Sequence, residues 1–107
     1  YRFIQNCPGN PIIWAHWGGG LPFYALMPEV RESLKLVYFD SAASPFLYSP
    51  EVFPVVAELA GAGKVLFASD FPLLDMSRPL EQIRGMSLDP NVEDRLLSRN
   101  TAKLLRL

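Results

Sequence analysis

Ile12-Ile13-Trp14-Ala15-His16 is a short apolar run that ends on a polar side chain, and the rest of the chain repeats it twice. The repeats are Leu36-Val37-Tyr38-Phe39-Asp40 and Lys64-Val65-Leu66-Phe67-Ala68-Ser69-Asp70. All three are continuously apolar rather than alternating, which is the pattern of strands covered on both faces in a parallel sheet. Their polar ends stand at positions 16, 40 and 70, intervals of 24 and 30 residues, each about one strand–helix unit.

Helix signals fill the intervals. From Leu21 to Leu34 the apolar residues Phe23, Leu26, Met27, Val30 and Leu34 recur every three or four positions, which predicts an amphipathic helix kinked or split at Pro28. Ser49-Pro50-Glu51 predicts a second helix with a serine cap, a face of Val52, Val55, Val56 and Leu59, and a stop at Gly61-Ala62-Gly63. Ser77 with Glu81 predicts a looser cap, Asp89-Pro90 a further start, and Asn100-Thr101 the cap of a last helix through Leu105. The order is strand, helix, strand, helix, strand, helices: an α/β fold. Three parallel strands leave open edges. A closed (β/α)8 barrel takes roughly 250 residues, so 107 residues match about three of its eight units. The expected architecture is therefore a single segment, residues 1–107, of such a barrel, with a small open α/β sheet as the competitor. The opening at Tyr1 rather than Met, and a composition that is 50% hydrophobic, are what a piece of a larger, covered structure would show.

Composition narrows the function classes. Ten Lys+Arg against eleven Asp+Glu leave a net charge of -1, without the basic footprint of a nucleic-acid or anionic-membrane binder. The longest apolar stretch, Ile12 to Met27, is broken by His16, three glycines and Pro22, so no membrane span is expected. Cys7 is the only cysteine. It admits neither an internal disulfide nor a multi-cysteine zinc site, and it suits a reducing, cytoplasmic setting.

In parallel α/β folds, sites form at the carboxyl ends of the strands. Here all three ends carry a group able to bind a metal or a proton: His16, Asp40 and Asp70. An imidazole followed by Gly18-Gly19-Gly20 has open space around it and suits acid–base work or metal ligation. The alternative is a core histidine bonded to a carbonyl. Asp70, between Phe67-Ala68-Ser69 and Phe71-Pro72, needs a cation, a metal or backbone donors. Asp40, followed by Ser41-Ala42, reads equally well as a turn aspartate. The glycine triplet lacks the following Gly-Lys-Ser/Thr of a phosphate loop, and Ser69 lacks the glycines of a nucleophile elbow. Trp14, Trp17, Phe23, Tyr24 and Tyr38 read as core or cavity wall, and Arg95, Arg99, Lys103 and Arg106 as a solvated face.

Ile13-Trp14-Ala15-His16-Trp17-Gly18-Gly19-Gly20-Leu21-Pro22-Phe23 resembles strand 6 of the amidohydrolase-related, metal-dependent TIM-barrel family, the group of aminocarboxymuconate-semialdehyde and resorcylate decarboxylases. Val37-Tyr38-Phe39-Asp40-Ser41-Ala42 is similar to its strand 7, the segment Lys64 to Pro72 to its strand 8, and Asn100 to Leu107 to its closing helix. The resemblance implies the C-terminal part, about strands 6–8 with their helices, of a (β/α)8 barrel. It implies His16 as the catalytic histidine and Asp70 as the aspartate metal ligand, and it carries no role for Asp40. Trp17 stands between histidine and glycines as an insertion relative to the decarboxylase pattern. The family's remaining ligands are a His-x-His pair on strand 1 and a histidine on strand 5, whereas this chain has one histidine in all. A divalent metal, zinc first and manganese second, is thus expected in the complete protein only. The missing N-terminal barrel half is the expected partner and a small carboxylate, lactone or ester the expected substrate, hydrolysed or decarboxylated. The isolated chain is expected to be metal-free and inactive. Two non-enzymatic alternatives stand beside this: a fragment that self-associates through open strand edges, as a homo-oligomer, and a small α/β binding module.

Overall fold

A computed structural model describes all of residues 1–107. A short helix α1 (Arg2–Asn6) leads through a turn to strand β1 (Ile12–Trp14). A tight 3-10 segment, His16–Leu26, precedes helix α2 (Pro28–Ser33) and strand β2 (Val37–Asp40). Helices α3 (Ser44–Leu47) and α4 (Val52–Ala60) lead to strand β3 (Val65–Leu66). After a long loop come α5 (Ser77–Gly85), α6 (Pro90–Asp94), a π-helical turn at Arg95–Arg99 and α7 (Asn100–Leu105).

The three strands form one parallel sheet in the order β1-β2-β3. Ile12, Ile13 and Trp14 pair with Val37, Tyr38 and Phe39, and Phe39 and Asp40 pair with Val65 and Leu66. All carboxyl ends therefore lie along one edge, as the sequence predicts. The helices cover one face: Val37, Phe39 and Val65 pack with Trp17, Val52, Phe53, Val56, Ile83 and Leu96. The other face is more open, with Ile13 half exposed and its partner Tyr38 half-buried. Continuous apolarity thus marks strands with one face covered here and a second left bare, where the sequence predicts both covered.

Several local expectations shift for physical reasons. Of the two outcomes expected at Pro28, a split rather than a kink is found: Pro28 begins α2, because the residue before a proline is pushed to an extended conformation and Met27 adopts φ −87°, ψ 120°. The second helix starts at Val52, two residues later than the Ser49-Pro50 signal suggests, after a turn in which Ser49 accepts from the Val52 amide. Its stop falls as expected at Gly61, at φ 109°. The start of α5 is held by Asp75 rather than Ser77 and Glu81: the Asp75 carboxylate accepts from both the amide and the hydroxyl of Ser77. Asp89 does cap α6, accepting from the Asn91 amide at 2.9 Å. Asn100 caps nothing. It lies inside one continuous helical rod, buried, and its amide nitrogen donates at 2.8 Å to both Ala62 O and Val65 O. Strand β3 is short because Ser41 takes over the ladder, its hydroxyl accepting from the Ala68 amide at 3.1 Å.

Candidate active site at the strand ends

The chain leaves β1 into an uncommon turn. His16, Trp17, Gly18, Gly19 and Gly20 all have positive φ, between 55° and 88°. Side-chain-bearing residues pay roughly 1–2 kcal/mol each for that left-handed conformation, which glycine adopts freely. Three of the five positions are glycine; His16 and Trp17 must be held by contacts. Trp17 is fully buried, packs edge-to-face on Phe53 at 4.8 Å and donates from Nε1 to Ser44 Oγ at 3.1 Å. Gly18 lies against the Phe39 ring so closely that a Cβ would stand 2.9 Å from Cε1.

His16 is held by the loop that follows β2. Its amide donates to Asp40 Oδ1 at 3.0 Å, and the same oxygen accepts from the Ala42 amide at 3.1 Å. The imidazole Nδ1 lies 3.3 Å from Ala42 O. A carbonyl only accepts, so Nδ1 carries the hydrogen and the neutral ring presents an unprotonated Nε2. The ring is solvent-exposed. The β2 and β3 loops are tied in turn, the Ala43 amide donating to Ser69 O at 3.4 Å, one residue before Asp70. At about 4.8 Å per strand, the β1 and β3 ends are roughly 10 Å apart. His16 follows β1 by two residues and Asp70 follows β3 by four, so both come after the carboxyl edge of the sheet, with β2 between their strands.

Asp70 is half-buried, also at positive φ (77°), and followed by the cis Phe71–Pro72 bond. The two ion pairs of the chain, Lys35–Glu32 and Arg99–Asp94, leave it without a cation. A half-buried, unpaired carboxylate is a hard oxygen donor and fits one position of a divalent cation's shell. No three His, Cys, Asp or Glu side chains lie together, so residues 1–107 do not by themselves form a three-ligand metal site. Around Asp70 the rim is apolar: Phe71 and Leu73 are 79% and 67% exposed.

Asp40 is the residue that sequence reading left without a role. The signal was present: an aspartate at a strand end can accept from the amide two residues on, as Asp40 does from Ala42. Its second bond, to an amide 24 residues upstream, has no local trace.

Residues 1–107 match the profile of the Amidohydrolase family from end to end. The chain belongs to the amidohydrolase family. It is 36% identical over 85 residues to 6-methylsalicylic acid decarboxylase of Penicillium expansum, a match covering 64% of this chain and 25% of that protein. Its fold superimposes with a TM-score of 0.82 on 5-carboxyvanillate decarboxylase of Sphingomonas paucimobilis, at 17% identity, over 98% of this chain and 36% of that one. A dihydroxybenzoic acid decarboxylase of Polaromonas, with manganese and 2-nitroresorcinol bound, matches at 0.80 and 16% identity, over 97% and 36%. This amidohydrolase chain therefore spans about a quarter to a third of the proteins it resembles, and its sheet matches part of a TIM-barrel structure.

Proposed function

We propose that this amidohydrolase chain is the C-terminal segment of a metal-dependent enzyme that removes CO2 from a small aromatic carboxylate. The observation that carries the reading is an imidazole with a free Nε2 beyond the same sheet edge as an unpaired carboxylate. The relatives favour decarboxylation over the hydrolysis of esters or lactones, since a curated relative and several structural neighbours carry that activity in their names. Strands β1, β2 and β3 take the places of barrel strands 6, 7 and 8. A preceding segment closes the barrel and brings the remaining ligands, and the working setting is cytoplasmic.

Asp70 is one metal ligand in this reading. The divalent metal, manganese or zinc, supplies Lewis-acid polarisation of substrate oxygens. His16 handles the proton: when the carboxylate leaves as CO2, the ring carbon must gain one, and Nε2 is the atom placed to take it up and deliver it. The left-handed turn fixes where Nε2 points, because its backbone is held by Asp40 and its flank by Trp17. Phe71 and Leu73, exposed and close to Asp70 in the chain, offer apolar surface that suits an aromatic ring. Residues 1–107 alone are inactive for want of metal ligands.

The test is to assay the protein containing this segment, loaded with Mn2+ or Zn2+, on hydroxybenzoates and on aryl esters and lactones. CO2 release from the carboxylates supports the reading; ester or lactone turnover without CO2 release moves it to hydrolysis. A second reading, self-association of the segment through its open strand edges, is favoured by β1 and β3 standing at the two edges of the three-stranded sheet. A monomer in sedimentation at high concentration removes it.

A further inference from the structure

We infer that Asp40 is a positioning residue that sets the tautomer of His16. Four observations converge on it. One carboxylate oxygen accepts two amides, those of His16 at 3.0 Å and Ala42 at 3.1 Å. The first amide belongs to a histidine at φ 55°, a conformation that needs an external hold. The second belongs to Ala42, the residue whose own carbonyl faces His16 Nδ1 at 3.3 Å. Beyond that carbonyl, the Ser44 hydroxyl accepts from Trp17 Nε1, so the β2 loop grips the histidine turn on both sides.

Asp40 therefore acts at both ends of the contact between His16 Nδ1 and the Ala42 carbonyl. It pins the backbone that carries the ring and the backbone that carries the acceptor. With both pinned, Nδ1 stays protonated and Nε2 stays free. A neutral histidine in water prefers the opposite form, with hydrogen on Nε2, so the preference must be imposed. The work requires an acceptor oxygen rather than a negative charge, because both partners are neutral amides. Asparagine at position 40 can supply that oxygen and alanine cannot.

The inference rests on the proton-transfer role of His16 only for its catalytic meaning; the tautomer itself is measurable without activity. His16 is the only histidine of residues 1–107, so in the 15N-labelled complete protein its two imidazole resonances are assigned by their loss in His16→Gln. The measurement is made on the alkaline plateau, where the imidazole nitrogen shifts no longer change with pH. The wild-type chain should show a protonated Nδ1 and an unprotonated Nε2, well separated. Asp40→Asn should keep that pattern. Asp40→Ala should shift both resonances toward the free-imidazole mixture while far-UV circular dichroism remains that of the folded chain. A wild-type chain that already shows the free mixture overturns the inference. So does Asp40→Ala with wild-type resonances, which would leave Asp40 as a turn former only. Should Asp40→Ala not fold, Asp40→Asn decides: loss of the pattern in that variant overturns it. Loss of decarboxylation in the complete protein with the tautomer intact would count against the proposed reaction, and not against this inference.

Discussion

Trp17 is the plug on which the histidine turn rests, and replacing it tests that dependence directly. Its side chain is wholly buried, meets Phe53 edge-to-face at 4.8 Å and donates to the equally buried Ser44 hydroxyl. Large aromatic truncations in a core cost about 3–5 kcal/mol. The Ser44 hydroxyl also loses its donor, a further cost of about 1 kcal/mol. Trp17→Ala should therefore destabilise by about 4–6 kcal/mol, and domains of this size rarely hold more than about 5–15 kcal/mol. Trp17→Phe keeps a ring against Phe53 and loses the hydrogen bond with part of the volume; it should cost about 1–3 kcal/mol. Urea unfolding followed by far-UV circular dichroism reads both without relying on indole fluorescence. A loss below about 1 kcal/mol for Trp17→Ala would refute the reasoning, and so would equal losses for the two variants.

Other expectations follow from single contacts. Gly18→Ala places a methyl 2.9 Å from the Phe39 ring at φ 62°, so it should cost about 2–4 kcal/mol in the same unfolding assay, the sum of overpacking and left-handed strain. Asn100→Ala frees the carbonyls of Ala62 and Val65, and it should lower stability by about 2 kcal/mol and speed hydrogen exchange at β3, read by NMR. Acid should weaken the entries to α4 and α5. The Ser77 hydroxyl and amide hold the Asp75 carboxyl below its ordinary 3.8, and Ser49 holds Glu51 below its ordinary 4.5. A lowered folded-state value means that the contribution is complete above the ordinary value and lost as pH falls through the lowered one. The loss therefore lies below pH 3.8 for Asp75, and Asp75→Ala should flatten that limb of a stability–pH curve.

Much of this was written into local sequence. The three apolar runs give the strands and their common edge, because a parallel sheet needs apolar strands and delivers their ends together, but only Asp40 ends its strand; β1 stops at Trp14 and β3 at Leu66, short of His16 and Asp70. Gly61 and Asp89 act where they stand, since a helix stop and a helix cap depend on neighbours within three residues. What escaped depends on distant partners. Asn100-Thr101 looks like a cap, yet two carbonyls 35 and 38 residues upstream claim the Asn100 amide. The glycine triplet signals a left-handed turn, but nothing local extends it back over Trp17 and His16. That extension is set by Asp40, Ser44 and Phe53 across the fold. Asp40 was half legible, through its bond to Ala42 and not through its bond to His16.

The division of labour between Asp70 and His16 is the central claim, and metal content beside turnover separates the two. In the complete protein, Asp70→Ala should lose bound divalent metal and decarboxylation together. His16→Ala should keep the metal and lose about 10²–10⁴-fold in kcat, the usual worth of a positioned acid–base group. Full metal content in Asp70→Ala, or unimpaired turnover in His16→Ala, would contradict the account.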